Sequence, residues 1–229
     1  MSHDKLRETF DQWAQAGRAE SMEASHGITI DQVMPKLELK AGDTVLDLGC
    51  GNGWATRQLA QAAPGVQAIG IDVAPDMIAR AEELHSYTIR ARYDVGTFEH
   101  LEFADGHFSR AFSMEAIYYA IDLDKALTEL HRVLGHGGRI DIVIDFYAER
   151  PGTKVWADHT GVDMHYLSID EWKAAFERAG FTNFETERVV DPRGPGDEAD
   201  FEANEWTPDW QTKLDTHAAG ALWMRATKP

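Results

Sequence analysis

Three glycines at alternate positions, Gly49, Gly51 and Gly53, are the part of this chain best suited to bind a ligand. They follow a short apolar segment, residues 45–48, and a helical pattern begins at Trp54. Glycine lets the backbone turn sharply and leaves room for a ligand where a side chain would collide. A strand, a glycine turn and a helix in this order indicate a site for a nucleotide-like molecule. The spacing is not the dinucleotide fingerprint Gly-x-Gly-x-x-Gly, and no Gly-Lys-Ser/Thr follows that would hold a triphosphate.

Carboxylates stand at or near the ends of the first three predicted strands. Asp72 follows the glycines by about twenty residues, where a carboxylate can accept both ribose hydroxyls of a nucleoside. Asp94 ends the third strand beside Val95 and could accept from an adenine amino group, and Asp47 could orient the glycine loop. Each aspartate alone is typical of a solvated loop or a helix cap. Their joint occurrence after successive strands indicates one binding site.

Composition limits the partners of this chain. Its 229 residues suit one domain with a full core. Because 39 acidic residues face 22 basic ones, with a net charge of -17, we expect no nucleic-acid partner, which would need clustered Lys and Arg. Such an acidic excess is typical of a salt-rich cell or of an ordinary acidic protein, and we favour the second. No apolar run of about 18 residues and no signal peptide is evident, so we expect a cytoplasmic protein without a membrane span.

The single cysteine, Cys50, excludes an intrachain disulfide and a cysteine metal cluster. We therefore predict no metal. Glu115 and Asp145 could supply two carboxylates to a metal-dependent catechol enzyme, an interpretation that we do not favour.

Apolar periodicity predicts the elements that position these side chains. Strands are expected at residues 45–48, 66–72, 88–94, 110–114, 139–146, 184–190 and 221–226. Helices are expected at residues 4–19, 28–37, 54–63, 75–84, 122–134 and 168–179. We expect breaks at Gly17 and at His26–Gly27, and a turn of the chain at residues 135–138. The alternation predicts an α/β fold, a mainly parallel sheet covered on both faces, with ligands beyond the carboxyl ends of its strands.

Residues 40–145 resemble a class I S-adenosylmethionine-dependent methyltransferase, of the small-molecule group that includes the quinone C-methyltransferases. Four motifs occur in the family's order, at residues 45–53 (VLDLGCGNG), 70–72 (GID), 103–108 (FADGHF) and 130–140 (LHRVLGHGGRI). His136 departs from the pattern, since the family usually has proline there. The resemblance implies a Rossmann-like, seven-stranded, mostly parallel sheet with helices on both faces and an antiparallel last strand.

The resemblance also assigns residues to S-adenosylmethionine. Gly49, Gly51 and Gly53 would approach its methionine part, Asp72 its ribose, Met77 its adenine face, and Asp94 with Val95 the adenine edge. Ser113 and Glu115 would lie near the sulfonium and the acceptor. The full predicted cofactor set is Arg18, Asp47, Gly49, Gly51, Gly53, Asp72, Val73, Met77, Asp94, Val95 and Ser113.

Methyl transfer from a sulfonium depends on alignment, and it needs a base when the nucleophile must lose a proton. The candidate catalytic residues are His26, His165, Glu115 and Tyr118. We predict a helical lid at residues 1–39, a methyltransferase core at 40–229, and a substrate-facing insert near 147–167 that carries Trp156, His159, Met164 and His165. The acidic loop near 191–215, with Trp206 and Trp210, is either a solvated excursion or a flap over the substrate, and we favour the former.

The predicted function is methyl transfer to oxygen, carbon or nitrogen of a small-molecule metabolite, by a monomer or homodimer. One alternative is a non-catalytic protein that binds S-adenosylmethionine, such as a sensor. A nicotinamide-dependent oxidoreductase is a second alternative, and the absence of a third glycine at the spacing of the dinucleotide fingerprint argues against it.

Overall fold

The computed structural model describes residues 2–204 and 206–229. Its strands are β1 (Thr44–Leu48), β2 (Gln67–Asp72), β3 (Ala91–Val95), β4 (Phe108–Met114), β5 (Leu134–Ile144), β6 (Thr182–Val189) and β7 (Ala221–Thr227). They form a seven-stranded sheet in the order β3-β2-β1-β4-β5-β7-β6. The first five strands pair in parallel, and β7 runs antiparallel to both β5 and β6. The predicted Rossmann-like fold class is confirmed.

Helices cover the sheet. They are α1 (His3–Gln15), α2 (Arg18–Val33), α3 (Trp54–Gln61), α4 (Pro75–Glu83), α5 (Leu123–Val133), α6 (Trp156–Thr160), α7 (Ile169–Arg178) and α8 (Trp210–Ala219). Sequence periodicity missed α6 and α8. The predicted break at Gly17 is confirmed, because this residue has φ +70°. The predicted break at His26–Gly27 is wrong, because α2 runs through both residues.

The core has one apolar layer on each face of the sheet. Alternate residues of a strand point to opposite faces, so Val45 packs with Leu59 of α3 and Ile30 of α2, all at most 1% exposed. Leu46 packs on the other face in the cluster that includes Leu127 of α5 and Trp172 of α7. Burial on both faces explains the near-continuous apolar run of the central strands.

Local signals set several boundaries. A capping box begins α7: the Ser168 hydroxyl accepts from the N–H of Glu171, whose carboxylate accepts from the N–H of Ser168. Residues 135–138 do not form a separate turn. They belong to β5, which begins directly after α5, and the register between β4 and β5 shifts near Phe108.

Strands β2 and β3 lie on one side of β1, and β4 and β5 lie on the other, so the strand order reverses between β1 and β4. In open α/β sheets, ligands bind beyond the carboxyl ends of the strands at such a point. The turns after β1, β2, β4 and β5 all lie at this edge, because these strands are parallel. None of the described helices is long and apolar enough to cross a membrane.

Candidate functional site

Close packing fixes part of the glycine turn after β1, and another part of the turn borders an open space. The N–H groups of Gly49 and Cys50 both donate to the carbonyl of Ile71, at 2.9 and 3.0 Å, which fixes the turn to the end of β2. A Cβ on Gly49 would lie 2.2 Å from the Cβ of Ala116, and one on Gly53 would lie 2.4 Å from the Tyr93 ring. Packing therefore requires glycine at both positions.

Gly51 differs from its two neighbours in the motif. Its φ is +53°, and a Cβ there would meet no atom within 4 Å. Its N–H donates to the carboxylate of Asp72 at 2.9 Å. The N–H of Ala74 donates to the other oxygen at 3.0 Å. The turn after β1 and the end of β2 are thus held together through one carboxylate.

Asp72 is 8% exposed and lines a cavity. Burial raises the pKa of its carboxyl to about 6. Within residues 2–204 and 206–229 it makes no ion pair, and its hydrogen-bond donors are backbone N–H groups. A buried carboxylate that faces open space favours a ligand with hydrogen-bond donors of its own.

The cavity has a volume of about 500 Å³. Eight residues predicted for the cofactor or for catalysis line it: Arg18, His26, Gly49, Gly51, Asp72, Met77, Glu115 and Tyr118. Trp156 and Met164 of the predicted substrate-facing insert line it as well, together with Trp13 of α1 and Tyr119 after β4. One space therefore joins the end of β2 to the end of β4 and the N-terminal half of α2.

Other predicted cofactor residues have structural contacts instead. The buried carboxylate of Asp47 accepts from the Thr56 hydroxyl at 2.6 Å, and burial raises its pKa to about 7. The Ser113 hydroxyl donates to the carbonyl of Leu48 at 3.0 Å. The carbonyl of Val73 accepts from Arg7 at 3.3 Å. These side chains, like Gly53, do not line the cavity.

Asp94, Val95 and His165 also lie outside the cavity lining. Asp94 pairs with Arg92 at 2.9 Å, two residues earlier on the same face of β3, and Val95 is 50% exposed. The ring of His165 bonds to the carbonyl of Ala120 at 2.8 Å, which ties the insert to the segment after β4. The structure does not bring these three residues to the site.

Several lining residues were not singled out from the sequence. They are Phe10, Ser21, Met22, Ser25, Cys50, Asn52, Trp54, Met114 and Ala116. Phe10 is the clearest case, because it lies in α1, a helix that the periodicity predicted. The position of Trp206 corrects one expectation from the sequence. The acidic loop was expected to be a solvated excursion, but Trp206 lines the cavity and its ring lies 4.5 Å from that of His159.

The acceptor side of the cavity is built around Glu115, which follows β4 in a left-handed conformation with φ +53°. One of its carboxylate oxygens accepts from the N–H of Asp145, and the other accepts from the Tyr118 hydroxyl at 2.8 Å. Burial and the charge of Asp145 raise the pKa of Glu115 well above its usual value. Non-glycine residues with positive φ concentrate at functional sites.

Two further side chains complete this cluster. Asp145, after β5, pairs with Arg150 at 2.5 Å. His26 reaches the same place from α2, so that one ligating atom from each of His26, Glu115 and Asp145 lies within 4.8 Å of the others. Burial lowers the pKa of His26. The cluster therefore holds two carboxylates, one guanidinium and an imidazole whose neutral form is favoured.

A doubly covered parallel sheet with a glycine turn at its switch point and a buried acid at the end of β2 defines a fold that binds nucleoside cofactors. Residues 45–138 match the family model described as a methyltransferase domain. A chain of a solved complex that contains the Haloferax volcanii Trm112 methyltransferase activator superposes with a TM-score of 0.90 at 30% identity. The superposition covers 96% of this chain and 97% of that one. The chain belongs to the class I S-adenosylmethionine-dependent methyltransferases.

Two curated relatives agree with this assignment. The O-methyltransferase resE of Aspergillus sclerotiorum is 31% identical over 145 residues, 61% of this chain and 54% of that protein. The 2-methyl-6-phytyl-1,4-hydroquinone methyltransferase of Synechocystis sp. is 30% identical over 194 residues, 75% of this chain and 60% of that protein. The match thus spans a little over half the length of these relatives.

The cavity fits the family's cofactor, S-adenosylmethionine. The carboxylate of Asp72 lacks a cationic partner among the described residues and faces open space, as a ribose acceptor must. The space beside Gly51 is one that a Cβ would enter. Met77, 2% exposed, offers an apolar surface beside Asp72 for a flat ring.

Proposed function

We propose that this chain transfers a methyl group from S-adenosylmethionine to oxygen, carbon or nitrogen of a small-molecule acceptor. The observation that carries the proposal is the continuity of the cavity. It runs from Asp72 and Gly51, on the cofactor side, to Glu115 and Tyr118, on the acceptor side. One continuous space lets donor and acceptor be aligned, which is the main requirement of this chemistry.

On the cofactor side, Asp72 binds the ribose hydroxyls, and Gly49 and Gly51 leave room for the methionine part. Met77 packs against the adenine, and Arg18 closes the cavity from the N-terminal helices, where its guanidinium lies 3.8 Å from the centre of the Trp13 ring. The cofactor supplies an electrophilic methyl group on a sulfonium, with a neutral thioether as leaving group. The chain's own contribution is alignment and the exclusion of water.

On the acceptor side, His26 is the proton acceptor. Burial lowers its pKa, so the imidazole is neutral at neutral pH and has a free lone pair. Tyr118, buried and bonded to Glu115, orients the acceptor. A base is required only where the acceptor must lose a proton.

The names of the relatives support a small acceptor and leave the methylated atom open. One is an O-methyltransferase and another methylates a hydroquinone, as their names state. The aromatic lining of the acceptor side, with Tyr118, Tyr119 and Trp156, suits an acceptor with an apolar body.

Incubation with methyl-labelled S-adenosylmethionine and pooled small metabolites tests the proposal. We expect label to enter a small-molecule fraction, and we expect little transfer by the Asp72→Asn variant. Saturable cofactor binding without any product would favour the sensor alternative. Preference for a reduced nicotinamide over S-adenosylmethionine would favour the oxidoreductase alternative.

We also propose that the chain assembles with an activator protein of the Trm112 type. The proposal is supported by the solved complex with the Trm112 activator, one chain of which superposes on nearly all of this chain. Strand β3 is at one edge of the sheet, and Leu84, Tyr87 and Val95, on or near it, are 38%, 102% and 50% exposed. An unpaired strand edge with exposed apolar side chains favours pairing with another chain.

Co-expression with such an activator tests this assembly. We expect the two chains to co-elute, and we expect Tyr87→Lys with Val95→Lys to separate them without changing the melting temperature of this chain alone. Separate elution of the unaltered chains would contradict the assembly.

A further inference from the structure

We propose that the acceptor side of the cavity holds a protonated amine, with Glu115 as its anionic partner and aromatic rings around it. The inference rests on the proposed methyl transfer and narrows the class of its acceptor. It requires that the chain bind an ammonium group more strongly than a neutral or anionic group of the same shape.

The first argument is the position of Glu115. Its left-handed backbone directs the turn after β4 back toward β5, where the N–H of Asp145 donates to its carboxylate. The Tyr118 hydroxyl donates to its other oxygen. These two neutral donors fix the carboxylate at the cavity wall, and Glu115 remains in the cavity lining.

The second argument is the balance of charge. Arg150 pairs with Asp145 at 2.5 Å, so its charge is already matched. Among the described residues, no Lys or Arg pairs with Glu115, although this carboxylate is largely shielded from solvent. A shielded carboxylate without a cation is costly. An ammonium ion in the cavity supplies the missing charge, and an anionic acceptor would be repelled.

The third argument is the aromatic wall. The rings of Tyr118 and Tyr119 lie 4.6 Å apart in the cavity lining, and Trp156 lines the same space. Trp206 closes the same space from the acidic loop. Aromatic faces attract ammonium groups that are partly desolvated. Carboxylate and rings together fit a cation with an apolar body, for example an arylalkylamine.

The chemistry of an amine also uses the imidazole. A protonated amine has no lone pair, so one N–H bond must break, with the proton moving to a ring nitrogen of His26. The freed lone pair forms the new N–C bond, while the S–C bond of the donor breaks and its electron pair stays on sulfur. The charged groups that face His26 are Asp145, Arg150 and Glu115; the charge of Asp145 favours its protonated form, and that of Arg150 disfavours it.

Binding of matched probes, in the presence of saturating S-adenosylhomocysteine, tests the proposal without turnover. The probes are 2-phenylethylamine, its quaternary trimethylammonium analogue, 2-phenylethanol and phenylacetate. By calorimetry at pH 7.5 we expect both cations to bind at least about tenfold more tightly than the alcohol, and phenylacetate to bind most weakly. Because the quaternary cation cannot lose a proton, its binding measures the contribution of the carboxylate and the aromatic rings without any proton transfer to His26.

Two variants locate the effect. Glu115→Gln should remove most of the preference for the cations and change binding of the alcohol by less than about twofold. Asp124→Asn, an exposed carboxylate that pairs with Arg178 elsewhere on the surface, is the control and should change neither. His26→Gln should leave binding of the quaternary cation unchanged and slow methylation of 2-phenylethylamine.

Three results would overturn the amine proposal. One is equal binding of cation and alcohol by the unaltered chain, and another is retention of the preference in Glu115→Gln. A third is stoichiometric Zn²⁺ or Mn²⁺ at this cluster in equilibrium dialysis, lost in His26→Gln, which would make it a metal site. If S-adenosylhomocysteine itself does not bind, the proposed function has failed and not merely the acceptor class.

Discussion

The carboxylate of Asp72 accepts a hydrogen bond of 2.9 Å from the backbone N–H of Gly51. This contact joins the turn after β1 to the end of β2 at the wall of the cavity. The two residues lie 21 positions apart, and the parallel pairing of β1 with β2 brings them together. The cofactor site thus depends both on the side chain of Asp72 and on the backbone conformation of Gly51.

The glycines of the motif should respond differently to substitution. Gly49→Ala places a Cβ 2.2 Å from Ala116, and the loss of stability should exceed that of Gly51→Ala, whose Cβ meets no atom within 4 Å. The left-handed conformation alone costs about 1–2 kcal/mol at Gly51. Chemical denaturation measures the stability, and calorimetry measures the cofactor affinity. We expect Gly51→Ala to fold and to bind S-adenosylmethionine at least about tenfold more weakly, which would cost about 1.4 kcal/mol. Equal stability losses in the two variants would contradict this account.

Asp47 should make the folded state less stable as the pH rises. Burial and the charge of Asp72 raise its pKa from 3.8 to about 7, so between these values the folded chain binds more protons than the unfolded one. Stability therefore falls from about pH 4 to about pH 7, by at most about 4 kcal/mol. In Asp47→Asn the amide oxygen still accepts from Thr56 and no proton is exchanged. Melting curves at pH 5 and pH 8 should show a larger gain for this variant at pH 8, and an equal gain at both would contradict the assignment.

Arg132, in the fourth motif, should be a structural residue. Its guanidinium donates to the carbonyls of Leu101 and Phe103 at 2.8 and 2.7 Å and pairs with Glu129. Arg132→Met should cost about 1–3 kcal/mol of unfolding free energy and leave cofactor affinity unchanged. The matched control is Arg178→Met, which removes an exposed pair worth less than about 1 kcal/mol. A loss of cofactor binding by folded Arg132→Met would show instead that this motif acts on the ligand.

Much of the site could be predicted because strand ends follow from the apolar pattern. Asp72 ends β2 and Glu115 directly follows β4, and because both strands run parallel in one sheet, the topology alone brings them to one edge. Asp94 shows where this reasoning stops. It ends β3 as expected, but side chains two positions apart on a strand share a face, and Arg92 takes its carboxylate.

The rest depends on contacts between segments distant in sequence. Trp206 stands in a loop of acidic composition, which favours solvent exposure, and its place in the cavity comes from packing near His159. His165 was a reasonable base by residue type, but its ring nitrogen bonds to the carbonyl of Ala120. The pattern of apolar residues does not predict these two contacts, because each depends on the tertiary fold.

Cofactor binding should weaken in mild acid. Burial raises the pKa of Asp72 to about 6, so the carboxylate takes up a proton below that pH and loses part of its capacity to accept hydroxyl donors. The dissociation constant of S-adenosylhomocysteine should rise by about tenfold between pH 7.5 and pH 5. The profile of Asp72→Asn should be flat over this range, and a parallel slope in both proteins would assign the effect to another group.

The most direct test is calorimetric titration of S-adenosylmethionine into the unaltered chain, into Asp72→Asn and into the surface control Asp124→Asn. We expect one saturable site in the unaltered chain and in the control. In Asp72→Asn, with its melting temperature retained, affinity should fall by about 1–3 kcal/mol, the usual loss for a charge-assisted hydrogen bond. Equal affinity in all three proteins, or no saturable binding to the unaltered chain, would contradict the placement of the cofactor at Asp72 and Gly51.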